Sequence, residues 1–394
     1  MSYVHAVLSA VPLLKREWNK KQRLLLQNAV RNTLPKHRAA ACLRHRLGSS
    51  AVTVSASTSG ATRLGGLMVC NAFHICPICH HNKMEQEKAM LADFVTKHYA
   101  DGGFMVDAVL TIPHAAGESL SDVQSRLELV WNSLRSKAIW RELSEYLGIV
   151  GSVRKLEVTL TSNGWHPHYH VSLLCNWAHS RGLRGFNRQT VLADAHAQVA
   201  ASWARAGERS GIKVSLFAQA AVAIVAGVDA QKAIAYNAKN MGYGGKSKSL
   251  TPMDLLRVVD QSTDPTAVCA ARRLFSEYAA AVKGKHALSY LGTARVAKSK
   301  LSGKDKPPAA SEPEYVRLGT ISGDAWNAVV KAGQREAMAQ VMTCEELMQA
   351  VLRAAHFAGF TFIPSGWLTF MPESKTVIMV KCEPTSIPSL VLRV

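Results

Sequence analysis

The sequence lacks an apolar run long enough to span a membrane. Its longest candidate, residues 217–228, is alanine-rich and falls short of the roughly 18 to 20 apolar residues that a spanning helix needs. A secretory signal is also missing, because the first basic residues, Lys15 and Arg16, follow the initial apolar stretch instead of preceding it. We therefore expect a cytoplasmic protein without a membrane partner.

Acidic residues are scarce relative to basic ones. The 394 residues include 28 Asp and Glu but 47 Lys and Arg, which gives a formal charge of +19. Residues 301–394 contain nine of each sign, so the whole excess lies in residues 1–300. A positive charge of this size attracts polyanions, which favours nucleic acid as a partner. Hydrophobic residues make up 48% and charged residues 19%, a balance that excludes disorder.

Cysteine is limited to eight residues, dispersed along a long chain, which excludes a small disulfide-stapled fold. Half of them fall within residues 42–79, and two of these have Cys-x2-Cys spacing. Zinc prefers four tetrahedral thiolate or imidazole ligands, whereas the plainer alternative is a set of core cysteines. We predict a structural Zn²⁺ held by Cys42, Cys70, Cys76 and Cys79. The histidines that could replace one of these ligands are His74, His80 and His81.

A stretch rich in Lys, Ser, Gly and Pro at residues 298–315 has the composition of a linker. We expect a basic arm and zinc-binding module over residues 1–100, a mixed α+β domain over 101–297 and an accessory α+β domain over 316–394. Within the middle domain, residues 121–134 predict a helix. One face of this helix carries the apolar residues Val123, Leu127, Val130, Trp131 and Leu134.

Two strands, residues 153–161 and 166–174, predict a hairpin. Side chains alternate along a strand, so His166, His168 and His170 share one face and could converge on a divalent ion. A register that pairs Thr161 with His166 also places Glu157 opposite His170, about 5 Å away at Cβ. We therefore predict His168 and His170 as metal ligands, with either Glu157 or His166 as the third.

Two imidazoles and a carboxylate leave open coordination positions, which a catalytic metal needs in order to bind a phosphate oxygen. Nitrogen and oxygen ligands do not select one ion. We expect Mg²⁺ or Mn²⁺ from the phosphate chemistry, and imidazole ligands suit Mn²⁺ better.

Residues 230–241 predict a further helix. Lys239 and Asn240 stand three and four positions after Tyr236, so the three side chains share a face. A phenol beside a cation is a candidate nucleophile. The plainer alternative is a tyrosine at the rim of an amphipathic helix.

Together these motifs resemble the HUH endonuclease superfamily, and within it the plasmid-type rolling-circle replication initiators. The resemblance covers roughly residues 40–292. Its three motifs match residues 110–114 (LTIPH), 164–170 (GWHPHYH) and 236–239 (YNAK), and residues 70–79 and 284–289 (GKHALS) also resemble segments of these initiators.

The resemblance implies a central antiparallel sheet of ferredoxin-like topology, with the histidine strand in its middle and the tyrosine helix packed across it. It implies that Tyr236 nicks origin DNA through a 5′-phosphotyrosine and that the strand is rejoined at termination. Lys239 would stabilise developing charge. The residues expected to contact DNA are Thr111, His114, Lys232 and Asn240.

The implied partners are single-stranded and duplex origin DNA, with host helicase and replication proteins and a second copy of the chain as further candidates. One position departs from the family pattern. Some initiators have a glutamate four residues before the tyrosine as the base that activates water for termination, whereas this chain has Lys232. Lys232 is instead expected to contact the DNA backbone, unless it is simply a solvated helix residue.

Two other functions compete with replication initiation. A transposase or conjugative relaxase shares the metal and tyrosine motifs. A zinc-dependent DNA-binding regulator without nuclease activity would use the histidines for a structural ion.

Overall fold

The structure is a computed structural model that describes residues 3–10, 18–57, 62–180, 188–216, 219–224, 249–286, 288–302, 315–333, 335, 346, 349–350, 361–363, 368–371 and 378–382. The helices are α1 (Tyr3–Ala10), α2 (Lys20–Thr33), α3 (Pro77–Ala100), α4 (Leu120–Leu134), α5 (Lys137–Leu147), α6 (Arg188–Arg209), α7 (Pro252–Gln261), α8 (Pro265–Ala281), α9 (Thr293–Ser302) and α10 (Gly323–Lys331). The strands are β1 (Val52–Ser57), β2 (Thr62–Gly65), β3 (Gly103–Leu110), β4 (Ile149–Thr161), β5 (Gly164–Asn176), β6 (Ala220–Ile224), β7 (Leu288–Gly292), β8 (Tyr315–Ile321), β9 (Thr361–Ile363), β10 (Leu368–Met371) and β11 (Ile378–Cys382). This mixture of helices and antiparallel sheet confirms the predicted α+β class.

The chain divides into two compact units. One contains Met1–Arg16 and His80–Pro307, and the other contains Glu17–Cys79 and Pro308–Val394. The boundaries differ from those expected from composition, because β8 pairs antiparallel with β1 and so joins the C-terminal region to the sheet of the cysteine-bearing segment. Neither composition nor periodicity can reveal a pairing between strands so distant in sequence. The first residues of the expected linker, 298–302, form the end of α9.

The unit that contains Cys42 has a six-stranded antiparallel sheet in the order β2-β1-β8-β11-β10-β9. Arg335 is almost fully buried in this unit, with 1% of its surface exposed. Its guanidinium donates hydrogen bonds to the Cys42 carbonyl at 3.2 Å, the Leu24 carbonyl at 3.1 Å and Asn28 Oδ1 at 2.9 Å. A buried cation is costly unless hydrogen bonds satisfy it, so these contacts tie the C-terminal region to α2 and to the cysteine segment.

The other unit has a five-stranded antiparallel sheet in the order β6-β3-β5-β4-β7. Along the chain its elements follow as β3, α4 with α5, β4, β5, α6 and β6, which is a β-α-β-β-α-β sequence. The histidine strand β5 lies in the middle of the sheet, as predicted. Both neighbours of β5 are antiparallel to it.

The hairpin of β4 and β5 is tighter than the sequence suggests. Thr161 pairs with Gly164, so that Glu157 lies opposite His168 and not opposite His170 as predicted. The predicted turn is too long because Gly164 adopts φ +88°, a conformation that glycine reaches easily and that allows a shorter connection. Side chains alternate with a period of two, so this two-residue shift leaves Glu157 on the histidine face.

The two faces of the sheet differ in chemistry. Helices α4 and α6 cover one face and form a large apolar core with the odd-numbered residues of β5, namely Tyr169, Val171, Leu173 and Cys175. The even-numbered residues face the other side, where α3 and α9 cover one end of the sheet in a small core around Leu174. His166, His168 and His170 therefore lie on the face opposite the main core.

None of the helices in the described ranges combines the length and the apolar character that crossing a membrane would require.

Candidate metal centres and active site

Four cysteines converge in the second unit. Cys42 follows the short 3-10 turn Arg38–Ala41, Cys70 follows β2, and Cys76 and Cys79 flank the start of α3. All four are buried, and their sulfurs lie within 4.8 Å of one another. Cys79 Sγ is 3.7 Å from Cys42 Sγ and 3.4 Å from Cys70 Sγ. Zn–S bonds of about 2.3 Å place tetrahedral sulfurs about 3.8 Å apart, so the cluster could bind a metal such as zinc.

The backbone beside two of these ligands is strained. Leu43 and Asn71, which directly follow Cys42 and Cys70, both have φ of 50°. The left-handed conformation costs about 1 kcal/mol for a residue such as leucine. It also curls the chain around the sulfur, and the Ala72 N–H lies 3.4 Å from Cys70 Sγ. Such strain persists only where the surroundings enforce it, which is what shared ligation by the four sulfurs would do.

Within the described residues, the group that could hold this metal consists of four sulfurs. It contains Cys42 and no imidazole, so His74, His80 and His81 are not among its members. Contact with the Cys42 thiol lowers the pKa of Cys79, whereas contacts with the neighbouring thiols raise the pKa of Cys42 and of Cys76.

Cys76→Ser and Cys79→Ser should each release zinc and lower thermal stability. Loss of a structural metal removes about 4 kcal/mol or more, equivalent to about 10 °C in Tm. Elemental analysis and a thermal melt of the purified variants measure both effects. Cys269→Ser is the matched control, because Cys269 is exposed and outside the cluster, and it should change neither quantity. Wild-type protein that carries no zinc would contradict the zinc assignment.

A second group of ligands lies on the histidine face of the first unit. Donor atoms of Glu157, His168 and His170 lie within 4.8 Å of one another. Glu157 Oε2 is 2.9 Å from His170 Nε2 and 4.0 Å from His168 Nε2. The shorter contact is not aligned as a hydrogen bond, which leaves Oε2 as a buried oxygen without a hydrogen-bond partner. Such an atom needs an explanation, and a divalent cation shared by the three donors supplies one.

The protonation states of this group suit a metal. His168 Nδ1 lies 3.2 Å from the His166 carbonyl and can donate its proton there, which leaves Nε2 free to ligate. Burial lowers the pKa of His168 to about 4, against the opposing effect of Glu157. Burial alone would raise the pKa of Glu157, but His170, Lys155 and His168 lower it to about 2. Near pH 7 the site therefore offers a neutral imidazole and an ionised carboxylate, a donor set that fits Mn²⁺ or Mg²⁺.

His166, the predicted rival of Glu157, is engaged elsewhere. Its Nδ1 lies 2.8 Å from His114 Nε2, so these two imidazoles form a hydrogen-bonded pair. Burial, together with the nearby His114, lowers the pKa of His166. The geometry therefore groups Glu157 with His168 and His170, and it places His114 beside the site.

Thr111, one of the residues expected to contact DNA, lies at the end of β3. It is buried, its N–H donates to Gln219 Oε1 at 2.8 Å, and its carbonyl accepts from Trp203 Nε1 at 2.8 Å. These bonds anchor the end of β3 in the core, and the expected DNA contact of Thr111 stays a prediction. The other predicted functional residues, Lys232, Tyr236, Lys239 and Asn240, lie outside the described residues.

Lys155 is a site residue that the sequence reasoning missed. It pairs with His170 in the β4–β5 register, and its Nζ lies 3.7 Å from Glu157 Oε2. Burial lowers the pKa of Lys155, whereas Glu157 raises it. The strand alternation could have identified it, because Lys155 stands two residues before Glu157 and must share its face.

The chain on either side of residues 225–248 is anchored at opposite ends of this sheet. Ile224 pairs with Met105, which in turn pairs with Leu174 near one end of β5. Leu250 exchanges main-chain hydrogen bonds of 2.8 and 2.9 Å with Leu160, which pairs with Trp165 near the other end. His168 and His170 lie between these two ends.

Comparison with known proteins gives two distant relatives. A neomycin resistance protein from Streptomyces cyanogenus is 24% identical over 185 residues, which cover 41% of this chain and 42% of that protein. A protein described as "Protein rep" from Streptomyces lividans is 27% identical over 157 residues, which cover 32% and 34% respectively. The chain thus matches less than half the length of either relative. No family model matches the sequence, and no solved structure matches it.

Proposed function

We propose that this chain is a metal-dependent, site-specific single-strand DNA endonuclease and strand transferase that initiates rolling-circle plasmid replication. The observation that carries the proposal is the convergence of Glu157, His168 and His170 on one face of the central strand. Similarity to the Streptomyces lividans protein agrees with a role in replication. The other relative is named for neomycin resistance, so the proposal rests mainly on the geometry of the metal ligands.

The order of elements supports the proposed superfamily. A β-α-β-β-α-β sequence with the hairpin strand β5 beside β3 agrees with a ferredoxin-like arrangement. This is the sheet that the resemblance to HUH endonucleases implies, with the histidine strand in its middle.

The anchored ends of residues 225–248 support a position of Tyr236 near the metal ligands. From Trp165 to Leu174, β5 extends about 30 Å. The helix predicted within the segment between Ile224 and Leu250, residues 230–241, would extend about 18 Å. Tyr236 stands near the middle of this segment, as His168 and His170 stand near the middle of the strand. Because α4 and α6 cover the opposite face, the histidine face is the one that such a helix could cross.

The chemistry follows from these residues. With a divalent ion bound, Glu157, His168 and His170 would hold a Lewis acid against the scissile phosphate. Tyr236 gives up its phenolic proton to solvent and its oxygen bonds to phosphorus, while the bond from phosphorus to the 3′ oxygen breaks. The 3′ oxygen leaves with a proton as a hydroxyl that can prime synthesis. The phosphate stays on Tyr236, which conserves its bond energy for rejoining, and Lys239 stabilises the developing negative charge.

The cysteine-bearing segment is suited to hold duplex origin DNA. Residues 17–79 contain nine Lys and Arg but one acidic residue. Several of these cations are exposed, including Lys21, Arg31, Lys36, Arg38 and Arg63. Contacts from such side chains to phosphates position a protein on DNA without reading its sequence.

The test is a search for a covalent adduct. Purified protein is incubated with Mn²⁺ or Mg²⁺ and with labelled single strands that tile the DNA flanking its own coding sequence. We expect cleavage at one site and a denaturation-resistant adduct at the 5′ end of the fragment downstream of the break. A transposase or relaxase would form the same adduct but would act at transposon ends or a transfer origin. A DNA-binding regulator would form none, and the absence of any adduct across all fragments would overturn the proposal.

Termination should not proceed by hydrolysis at position 232. A lysine is normally protonated near neutral pH and cannot activate water as a glutamate does. The adduct should therefore persist in water until a strand with a 3′-hydroxyl is added. In addition, Lys232→Ala should reduce the salt dependence of single-strand binding by about one phosphate contact. Lys97→Ala, which removes an exposed lysine paired with Asp93, should leave that salt dependence unchanged. Rapid spontaneous loss of the adduct would show that a water-activating base exists.

A further inference from the structure

The face of the sheet that carries His168 and His170 also carries a cation, Lys155, that has no role in the proposed reaction. Lys155 lies directly across from His170, and Nζ approaches Glu157 Oε2, the oxygen toward which both histidines point. Only 14% of its side chain is exposed, so the ammonium is held near the metal ligands and is not free to turn toward bulk water.

This placement creates a charge imbalance when a metal is bound. Glu157 supplies a single carboxylate, which faces both the Lys155 ammonium and the divalent ion. These two positive charges repel each other strongly in a partly buried site. A phosphodiester brings one negative charge, and attack by a phenolate brings a second. Metal, Lys155 and Glu157 together carry a net charge of two positive units, so the reacting phosphate and the phenolate would neutralise the site.

We propose that Lys155 binds the scissile phosphate and thereby couples metal binding to DNA binding. Without DNA, its charge opposes the metal. With a DNA phosphate in place, the same charge is neutralised and the metal binds more tightly. By thermodynamic linkage, the metal also strengthens DNA binding by the same factor. This inference rests on the proposed function, because it assigns the phosphate of that same reaction to Lys155.

The experiment measures Mn²⁺ affinity by calorimetry, with and without a single-stranded oligonucleotide that contains the cleavage site. A Tyr236→Phe background prevents cleavage during the titration. We expect the oligonucleotide to raise Mn²⁺ affinity about tenfold in this background. Adding Lys155→Met should tighten Mn²⁺ binding without DNA by about the same factor and reduce the effect of the oligonucleotide to the part that comes from direct contact between phosphate and metal.

Two further variants control for charge and for folding. Lys155→Arg keeps the cation and should retain the coupling. Lys97→Met, which removes an exposed cation on α3, should leave the Mn²⁺ affinities as they were. A thermal melt of each variant checks that the fold is intact. In the Tyr236-containing protein, Lys155→Met should slow single-turnover cleavage by about 100-fold, the size of effect seen when one charge-stabilising donor is removed.

The outcomes separate this inference from the proposed function. If Lys155→Met weakens Mn²⁺ binding, Lys155 merely orients Glu157 and the coupling is refuted. Unchanged Mn²⁺ affinity would refute it equally. If no tiling strand is cleaved, the proposed function fails, whereas tighter Mn²⁺ binding by Lys155→Met without DNA would still support the electrostatic opposition between Lys155 and the metal.

Discussion

Tyr236→Phe should abolish both strand cleavage and the covalent adduct, while binding of single-stranded origin DNA stays within about twofold of wild type. The substitution removes the one oxygen that bonds to phosphorus and leaves the ring in place. A gel assay for labelled adduct and a binding titration with the same oligonucleotide measure the two quantities separately. Loss of cleavage with intact binding distinguishes a missing nucleophile from a misfolded protein.

Tyr243→Phe is the matched control. Tyr243 is the nearest other tyrosine along the chain, and it follows Gly242, where the predicted helix is expected to end. This variant should form the adduct in the first cleavage at the wild-type rate. A fully active Tyr236→Phe protein would refute the assignment of the nucleophile, and Tyr243 would then be the next residue to test.

His168→Ala and His170→Ala should each reduce cleavage by about 1,000-fold or more, because a site with three protein ligands retains its metal poorly after losing one. The fold should survive. Both side chains lie on the face of β5 opposite the main apolar core, so their removal leaves that core intact. Cleavage assays, Mn²⁺ titrations and thermal melts of the two variants check these expectations.

Three comparisons sharpen this second prediction. His179→Ala removes an exposed imidazole just beyond the end of β5 and should be without effect. Glu157→Gln should weaken Mn²⁺ binding much more than His166→Ala, because His166 is bonded to His114. Zinc content should be unchanged in every one of these variants, since the four cysteines form a separate cluster. Wild-type cleavage by either His168→Ala or His170→Ala would contradict the proposed metal site.

Features that follow the periodicity of a helix or a strand could be predicted from the sequence. The five apolar residues expected on one face of the helix over 121–134 are all buried in α4. Strand alternation placed His168, His170 and Glu157 on a common face, and that prediction survived a two-residue error in the register. The error arose in the turn, where the positive φ of Gly164 permits a connection that composition alone does not specify.

Features that depend on distant contacts could not be predicted. The pairing of β8 with β1 and the burial of Arg335 against Cys42 join residues that are far apart in sequence. The hydrogen bonds of the Thr111 backbone to Gln219 and Trp203 likewise join residues that are distant in sequence. Such contacts leave no periodic signal in either segment.

The most direct test of the proposed function is to locate the adduct by mass spectrometry after trypsin digestion. Cleavage after Lys232 and Lys239 releases residues 233–239, whose single tyrosine is Tyr236, and separates them from Tyr243. We predict a nucleotide remnant linked through its 5′-phosphate to Tyr236, together with a free 3′-hydroxyl on the other DNA fragment. A remnant on any other residue, or a cleaved strand with a free 5′-phosphate and no linked peptide at any time, would contradict the proposed mechanism.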